Sequence, residues 1–214
     1  MPTVEYRTKS GCRVPGVTTV ISGNLAWNKQ ALMYWAWNEG REGRDFRKTR
    51  DAAAGAGTIA HAMVEADLKG RPYSPPEGTP KEIIDKAENA FLAYLEFKDV
   101  VGLKMIESER SMVSEIYKFG GTIDIAAVKK VTAIIDLKTS NDIYADHKIQ
   151  IAAYGRLWNE NVPENPIKAY YILKLGKDDG SFAYHYFPPE SLDNEWKAFE
   201  ALLVLHNLKK LIGG

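Results

Sequence analysis

Two different spacings of hydrophobic residues divide the chain into a first part with helical periodicity and a second part rich in strands. Before residue 101, apolar side chains recur three or four positions apart, as they do in amphipathic helices. This spacing predicts helices over Asn28–Arg47, Ala52–Leu68 and Pro80–Val100, with a proline at the entry to the third. Proline and glycine crowd together in Gly70–Pro80, which is therefore a predicted loop.

From Met105 onward the pattern changes to β-branched and alternating residues, which are typical of strands. The second and third predicted strands are close enough in sequence to form a hairpin that turns at Lys129–Lys130. Strands and helices in this order favour an α/β fold with a mixed central β-sheet and helices on both faces. The predicted strands are Met105–Tyr117, Thr122–Lys129, Val131–Leu137, Ala169–Leu175 and Phe182–Phe187, and the predicted helices are Lys148–Asn159 and Leu192–Leu211.

The length and composition favour one domain. The 214 residues, 45% of them hydrophobic, are enough for one good-sized core and too few for two generous domains. We expect a single domain over residues 1–214, helical to about residue 103 and sheet-bearing from about residue 104. No stretch has the character of a signal peptide or a membrane span, so we expect a cytoplasmic protein with no membrane partner.

Charge and cysteine content restrict the chemistry. Basic and acidic residues number 28 each, so no net field indicates a nucleic-acid partner and any basic surface must be local. The single cysteine, Cys12, cannot form an internal disulfide. It also cannot by itself hold a zinc ion or an iron–sulfur cluster, which typically take several thiolates.

The strongest chemical signal lies on the predicted hairpin. Gly121 and Asp124 are on one strand, and Asp136, Lys138 and Thr139 are on or next to the other. Strand alternation points Asp136 and Lys138 to the same face. Two acids held together on apolar strands are costly unless a cation lies between them, and oxygen-rich sites suit magnesium or manganese. Taken alone, the motif is explained equally well by a solvent-facing charge pair at a strand end.

Two helical segments add further polar residues at a spacing of four. His61 and Glu65 share one face of a helix and could bring an imidazole and a carboxylate to a metal or a phosphate. Gln150 and Tyr154 share a face of another helix, with small alanines between them. Each segment by itself is better explained by packing, His61 as a buried or capping residue and Tyr154 as part of an amphipathic helix.

Together, the four motifs resemble those of the PD-(D/E)xK nuclease superfamily, and within it the RecB-like and phage-type exonucleases. The order matches over residues 55–155: a GTxxH helix with an acid one turn later, a GxxD strand, a DxK strand and a QxxxY helix. The resemblance implies a restriction-endonuclease-like fold. The iron–sulfur cysteines of some relatives are missing, so no cluster is expected.

The resemblance also implies roles for individual residues. The metal, Mg²⁺ or Mn²⁺, would be bound by His61, Asp124, Asp136 and the backbone carbonyl of Leu137. Lys138 would orient the attacking water and stabilise charge on the phosphate, which is chemistry that a metal-assisted hydrolase needs. Gln150 and Tyr154 would hold the DNA backbone, and Glu65 would be an outer or second-metal carboxylate. Asp124, Asp136, Lys138 and Glu65 are thus the candidate catalytic residues.

The expected substrate is DNA, cut from its ends without sequence specificity, because no base-reading element such as a zinc finger or helix-turn-helix is apparent. Trp27, Trp35 and Trp37 could stack on an unpaired strand, but their helical spacing favours a place in the core. A non-catalytic DNA-binding or assembly subunit and a metal-dependent nucleotide phosphohydrolase are the alternatives. The sequence does not determine the oligomeric state. The expected cell is a bacterium or a phage-infected host.

Overall fold

The computed structural model describes residues 4–27, 29–102, 104–128 and 131–213. A small two-stranded sheet precedes four helices, a strand block, a helix, two more strands and a closing helix. In chain order these are β1 (Tyr6–Arg7), β2 (Arg13–Val14), α1 (Val17–Asn24), α2 (Lys29–Arg41), α3 (Phe46–Leu68), α4 (Lys81–Val101), β3 (Lys104–Val113), β4 (Gly120–Val128), β5 (Thr132–Lys138), α5 (Ala145–Asn161), β6 (Ala169–Leu175), β7 (Phe182–Phe187) and α6 (Asp193–Leu211), with a 3₁₀ turn at Pro189–Leu192 before α6.

Strands β3 to β7 form one sheet in sequence order, and its connections explain its mixed character. Strands β3, β4 and β5 pair antiparallel, whereas β5 and β6 are parallel because α5 carries the chain back between them. Strand β7 then returns antiparallel to β6. The predicted α/β class with a mixed central sheet is therefore confirmed.

Helices cover both faces of this sheet and bury a hydrophobic cluster on each. One face packs on α1, α5 and α6, with Trp158 and Phe199 fully buried. The other packs on α3 and α4, where Tyr94 and Phe97 are buried. Strand β5 reads as an almost continuous apolar run because both of its faces are covered. No helix in the described part of the chain has the length and apolar character needed to cross a membrane.

The prediction of one helix over Asn28–Arg47 is wrong at its C-terminal end; its first residue lies outside the described ranges. Helix α2 ends at Arg41, and Gly43 follows with a φ of +73°, a conformation that a helix cannot continue. Asp45 then caps α3 by accepting a hydrogen bond from the backbone N–H of Arg47. Helix α3 consequently starts at Phe46 rather than at the predicted Ala52.

Three short elements near the N-terminus were not predicted from the sequence. Strands β1 and β2 have two residues each, too few for a visible alternation, and α1 has only eight. They are held by tertiary contacts: the Gly120 N–H donates to the carbonyl of Pro15, and the Tyr6 hydroxyl contacts the Thr122 hydroxyl at 2.9 Å. The N-terminal segment is thereby fixed against β4.

Strand β3 is shorter than predicted, because it ends at Val113 and residues 114–119 form a turn in which Lys118 has a φ of +60°. Strands β4 and β5 pair antiparallel, as the predicted hairpin requires. The predicted turn at Lys129–Lys130 lies outside the described residues.

The expectation that the N-terminal tryptophans belong to the core is wrong for two of the three. Trp27 is 71% exposed and Trp37 is 55% exposed. Trp35 is partly buried and meets Phe46 edge to face. Helical spacing alone did not distinguish an exposed aromatic face from a buried one, since both recur every three or four residues.

Candidate active site

Asp124 and Asp136 lie where β4 and β5 separate. The last pair in the ladder of these strands is Ile125 with Ile135, so the two aspartates are the next residues facing each other across the gap. In place of a ladder bond, Asp124 Oδ2 accepts a hydrogen bond of 2.8 Å from the backbone N–H of Leu137. Lys138, two residues beyond Asp136 and on the same face of β5, brings its Nζ to 2.6 Å from Asp136 Oδ2.

A third carboxylate, Glu109 on β3, completes a row of acids across three neighbouring strands. It lies between the ladder pairs Ser108–Ile125 and Arg110–Ile123, which places it opposite Asp124. Its φ of +51° is unusual for a residue other than glycine and strains the backbone at this point. Glu109 was not predicted from the sequence, because Glu107 and Arg110 on the same strand are also charged and strand alternation does not distinguish it from them.

Helix α3 supplies the nitrogen of the site. His61 Nδ1 lies 3.6 Å from Asp124 Oδ1. The helix approaches closely because residue 57 is glycine: a Cβ there would come within 2.7 Å of Thr139 Oγ1, just after β5. Glu65, one turn after His61, instead pairs with Lys69 at 2.5 Å and with Arg71 at 2.9 Å.

Helix α5 brings the QxxxY residues to the same place. Gln150 Nε2 donates to the Tyr154 hydroxyl at 2.8 Å, and Tyr154 is 5% exposed. The Tyr154 ring packs against β4 where residue 121 is glycine; a Cβ there would come within 2.7 Å of ring carbon Cε1. Gly57 of the GTxxH motif and Gly121 of the GxxD motif are thus required for the same reason: a helix or a ring approaches the strands too closely there to leave room for a side chain.

Burial and mutual repulsion set the charges of the acids. Burial raises the pKa of Asp136 to about 6, against the pull of Lys138, and the nearby Asp124 adds to the rise. Burial also raises the pKa of Glu109 to about 7, and Asp124 again adds to the effect. Burial works against ionisation of Asp124 as well, but His61 and Lys138 outweigh it and lower the pKa of that carboxyl.

The neighbouring acids raise the pKa values of the two cationic partners, His61 and Lys138. Burial disfavours the charged forms of His61 and Lys138, yet Asp124 raises the pKa of His61 and Asp136 raises the pKa of Lys138. Lys138 is therefore an ammonium at neutral pH. Asp136 and Glu109 have raised pKa values, so a further positive charge placed beside them would stabilise their ionised forms.

The residues present fit a hard divalent cation. One ligand atom from each of His61, Glu109 and Asp124 lies within 4.8 Å of the others, close enough to share an ion. Both carboxylate oxygens of Asp136 are buried, and the Lys138 ammonium lies beside Oδ2 only. A buried carboxylate with so few partners among the described residues is costly unless a cation satisfies it. Several oxygens with one imidazole form a donor set that suits Mn²⁺ well and Mg²⁺ less well, because magnesium prefers oxygen ligands.

A cleft of about 740 Å³ opens beside these residues. Glu109, Thr122 and Tyr154 contribute to its wall from the site, and the N-terminal strands and α1 form the other side. Basic groups from separate elements, Arg13 and Lys210, also line it. Glu5 lines it too and pairs with Arg13 at 3.4 Å, so the wall carries both signs of charge, and the cleft gives access to Glu109.

Comparisons with known proteins gave matches only among solved structures. No protein-family model matches the chain, and no curated protein matches it. A candidate exonuclease from Eubacterium rectale is similar with a TM-score of 0.49 and 16% identity, covering 68% of this chain and 64% of the other. This chain therefore spans less than two thirds of the length of that structure.

Two other similar structures are described as exonucleases, the class that the four motifs resemble. A phage-related exonuclease from Haemophilus somnus 129PT has a TM-score of 0.38 and 18% identity, covering 69% of this chain and 78% of the other. An alkaline exonuclease from Laribacter hongkongensis has a TM-score of 0.34 and 14% identity, covering 74% and 92%. Likenesses of this size do not establish a shared activity, which has to be inferred from the site.

Proposed function

We propose that the chain is a divalent-metal-dependent nuclease that hydrolyses phosphodiester bonds in DNA, without sequence specificity and preferentially from ends. The proposal rests on one observation, the convergence of His61, Glu109, Asp124, Asp136 and Lys138 from four separate elements. A strand-end charge pair, the alternative reading of Asp136 and Lys138, does not account for Asp136 being only 1% exposed.

The metal would be held by His61, Glu109, Asp124 and Asp136, with the carbonyl of Leu137 as a further candidate ligand. When bound, Mg²⁺ or Mn²⁺ would activate a water molecule near neutral pH and neutralise charge on the phosphate. The hydrogen bond from the Leu137 N–H to Asp124 keeps that carboxylate at the end of β5, so the ligands are positioned before any ion binds.

Lys138 supplies a proton donor rather than a base. Its pKa is raised because Asp136 stabilises the ammonium, so it carries a proton at the pH of reaction. In this state Lys138 can donate a hydrogen bond to a water molecule or to a phosphate oxygen on which negative charge develops. Its contact with Asp136 fixes the position of the ammonium, since the side chain is only 15% exposed.

Tyr154 supplies a second donor, which is neutral. Its hydroxyl accepts from Gln150, and burial raises its pKa well above the ordinary value, so the hydroxyl keeps its proton. A protonated hydroxyl lining the cleft can donate to a phosphate oxygen of a bound strand. Gln150 then acts through Tyr154, by holding the hydroxyl in place.

The sequence suggested Glu65 as the outer or second-metal carboxylate, but the contacts in the structure favour Glu109 for that role. Glu65 is engaged by Lys69 and Arg71, whereas Glu109 lies opposite Asp124 and lines the cleft. We therefore assign the second carboxylate role to Glu109. Glu109→Gln should lower the rate by about 100-fold or more, the usual loss on removing a group that stabilises charge at the reacting centre. Glu65→Gln should lower it only a few-fold.

The test is incubation of the purified chain with end-labelled linear DNA in Mn²⁺, in Mg²⁺ and in EDTA. The proposal requires labelled mononucleotides or short oligonucleotides in metal and none in EDTA. DNA that is bound but stays intact in Mn²⁺ would instead indicate a non-catalytic binding subunit. Hydrolysis of free deoxynucleoside triphosphates, with DNA left intact, would indicate a nucleotide phosphohydrolase.

A further inference from the structure

Helix α2 presents an aromatic face to solvent. Tyr34 is 63% exposed and Trp37 is 55% exposed, and their ring centroids are 5.7 Å apart. Arg41, one turn further, places its guanidinium 4.7 Å from the centroid of the Trp37 ring. Trp27, just before the helix, is 71% exposed. Spacings of three and four residues put Tyr34, Trp37 and Arg41 in one row along the helix.

The rest of α2 does not bury these rings. The only buried side chain of this helix among the described residues is Glu39, which is held by Arg44 and by the Thr49 hydroxyl. That network attaches the C-terminal end of α2 to α3 and leaves the aromatic row outside. Contiguous exposed aromatic surface of this kind is unfavourable in water and is typical of a binding site.

The charges around the row favour a polyanion. Residues 29–51 contain six basic and four acidic side chains. The acids are paired within this segment: Glu39 and Glu42 with Arg44, Asp45 with Arg47, and Asp51 with Arg50. A second copy packed on this face through a two-fold axis would bring like charges together, because such an interface uses the same patch twice. A nucleic-acid strand would instead bring opposite charge to it.

The N-terminal end of α2, which carries the row further along, reaches the surroundings of the proposed catalytic site. Lys29 and Leu32 of α2 line a small cavity of about 270 Å³ together with Gln150, the residue that positions Tyr154. Thr18 lines this cavity and also the larger cleft that contains Glu109. A DNA strand that follows these two cavities would pass from Glu109 to the N-terminal end of α2.

We propose that the row of Tyr34, Trp37 and Arg41 is a stacking platform for the bases of an unpaired DNA strand beside the cleavage site. The inference deepens the proposed function and depends on it for the identity of the strand. Aromatic rings stack on unpaired bases whatever their sequence, and the guanidinium on Trp37 adds attraction for the backbone. Bases in a duplex are already stacked on each other, so the platform selects single-stranded segments.

The experiment measures binding without catalysis. Fluorescein-labelled oligo(dT) is titrated with the chain in EDTA, and anisotropy gives the Kd at fixed salt. Tyr34→Ala with Trp37→Ala should weaken binding by about 5- to 150-fold, the range for loss of one stacked base, whereas Trp37→Phe should retain most of the affinity. Tyr186→Ala, which removes a ring that is 53% exposed on β7, is the matched control and should change nothing.

The outcomes separate the platform from its alternatives. Unchanged oligo(dT) affinity in a double variant with wild-type circular dichroism overturns the platform, and so does an equal loss of affinity for a blunt duplex. If sedimentation shows a wild-type dimer that the double variant disrupts while oligo(dT) binding is unaffected, the face belongs to a second copy. If oligo(dT) binding falls as expected but the wild type cleaves no DNA in Mn²⁺, the platform stands and the nuclease proposal fails.

Discussion

Asp124 is held by the backbone of the strand beside it: its Oδ2 accepts a 2.8 Å hydrogen bond from the N–H of Leu137. The bond ties the end of β4 to the end of β5 at the point where their ladder stops. It fixes one carboxylate between two others, Glu109 on β3 and Asp136 on β5. The following predictions depend on this row of acids and on the helices that approach it.

Asp136→Ala and Lys138→Ala should each lower DNA cleavage by about 100-fold or more, because each removes charge stabilisation at the reacting phosphate. Rates on end-labelled linear DNA in Mn²⁺ measure the effect, and circular dichroism checks the fold. Lys174→Ala is the matched control, since Lys174 pairs with Lys138 in the ladder of β5 and β6 but donates to the carbonyl of Asn141. Wild-type rates in either site variant would contradict the assignment.

His61→Ala should weaken Mn²⁺ binding by at least the roughly 10- to 100-fold that loss of a residue supporting a metal site costs. The wild type should also be more active in Mn²⁺ than in Mg²⁺, because manganese accepts an imidazole nitrogen more readily. Calorimetric titration with Mn²⁺ gives the affinity. His185→Ala, an exposed histidine on β7, should leave it unchanged. An equal affinity in the two variants would place His61 among the packing residues.

The metal-free chain should lose stability as pH rises from about 4.5 to about 7, because Glu109 has a pKa of 4.5 when unfolded and about 7 in the fold. Between these values the folded state binds more protons than the unfolded state, so raising the pH favours unfolding. Glu109→Gln removes this contribution. In EDTA at pH 8 its Tm should exceed that of the wild type, and the difference should shrink toward pH 4.

Glu107→Gln is the control for that series of melts. Glu107 is on the same strand but pairs with Arg110 at 2.8 Å and is 40% exposed. Its substitution should not raise the Tm at pH 8. A difference in Tm between the wild type and Glu109→Gln that stays constant across the whole pH range would show that Glu109 does not titrate in this interval.

Gly121→Ala should destabilise the chain by about 1–3 kcal/mol, the usual cost of overpacking a filled interior. The added Cβ would come within 2.7 Å of Tyr154 Cε1 and 3.0 Å of Leu157 Cδ1. Urea unfolding in EDTA measures the change. Gly23→Ala in α1 meets no atom within 4 Å and should be neutral or stabilising by up to about 1 kcal/mol. Equal midpoints for both variants would mean that α5 does not press on β4 as described.

Linear DNA should be degraded in Mg²⁺ much faster than covalently closed circles of the same sequence. The chain has no net charge, so capture of duplex DNA by counterion release should be weak, and productive binding depends on an end entering the cleft. Circles cut once by a restriction enzyme should become substrates at matched salt. Equal rates on closed and linear DNA would indicate an endonuclease and leave the metal site unaffected.

The sequence by itself determined the features that depend on neighbouring residues. Alternation along β5 placed Asp136 and Lys138 on one face, and a spacing of four placed Gln150 beside Tyr154 on α5. These relationships are set by the rise and turn of a single strand or helix. They hold wherever the element lies in the fold.

Only the tertiary structure decided what depends on which elements become neighbours. The pairing of β3 with β4 brought Glu109 opposite Asp124, although Glu109 had no distinguishing pattern of its own. The pairing of Glu65 with Arg71, beyond the end of α3, likewise depends on the path of the chain after the helix. The exposure of Trp37 depends on the absence of a packing partner, since an aromatic residue at helical spacing has the same local sequence pattern whether another element covers it or water does.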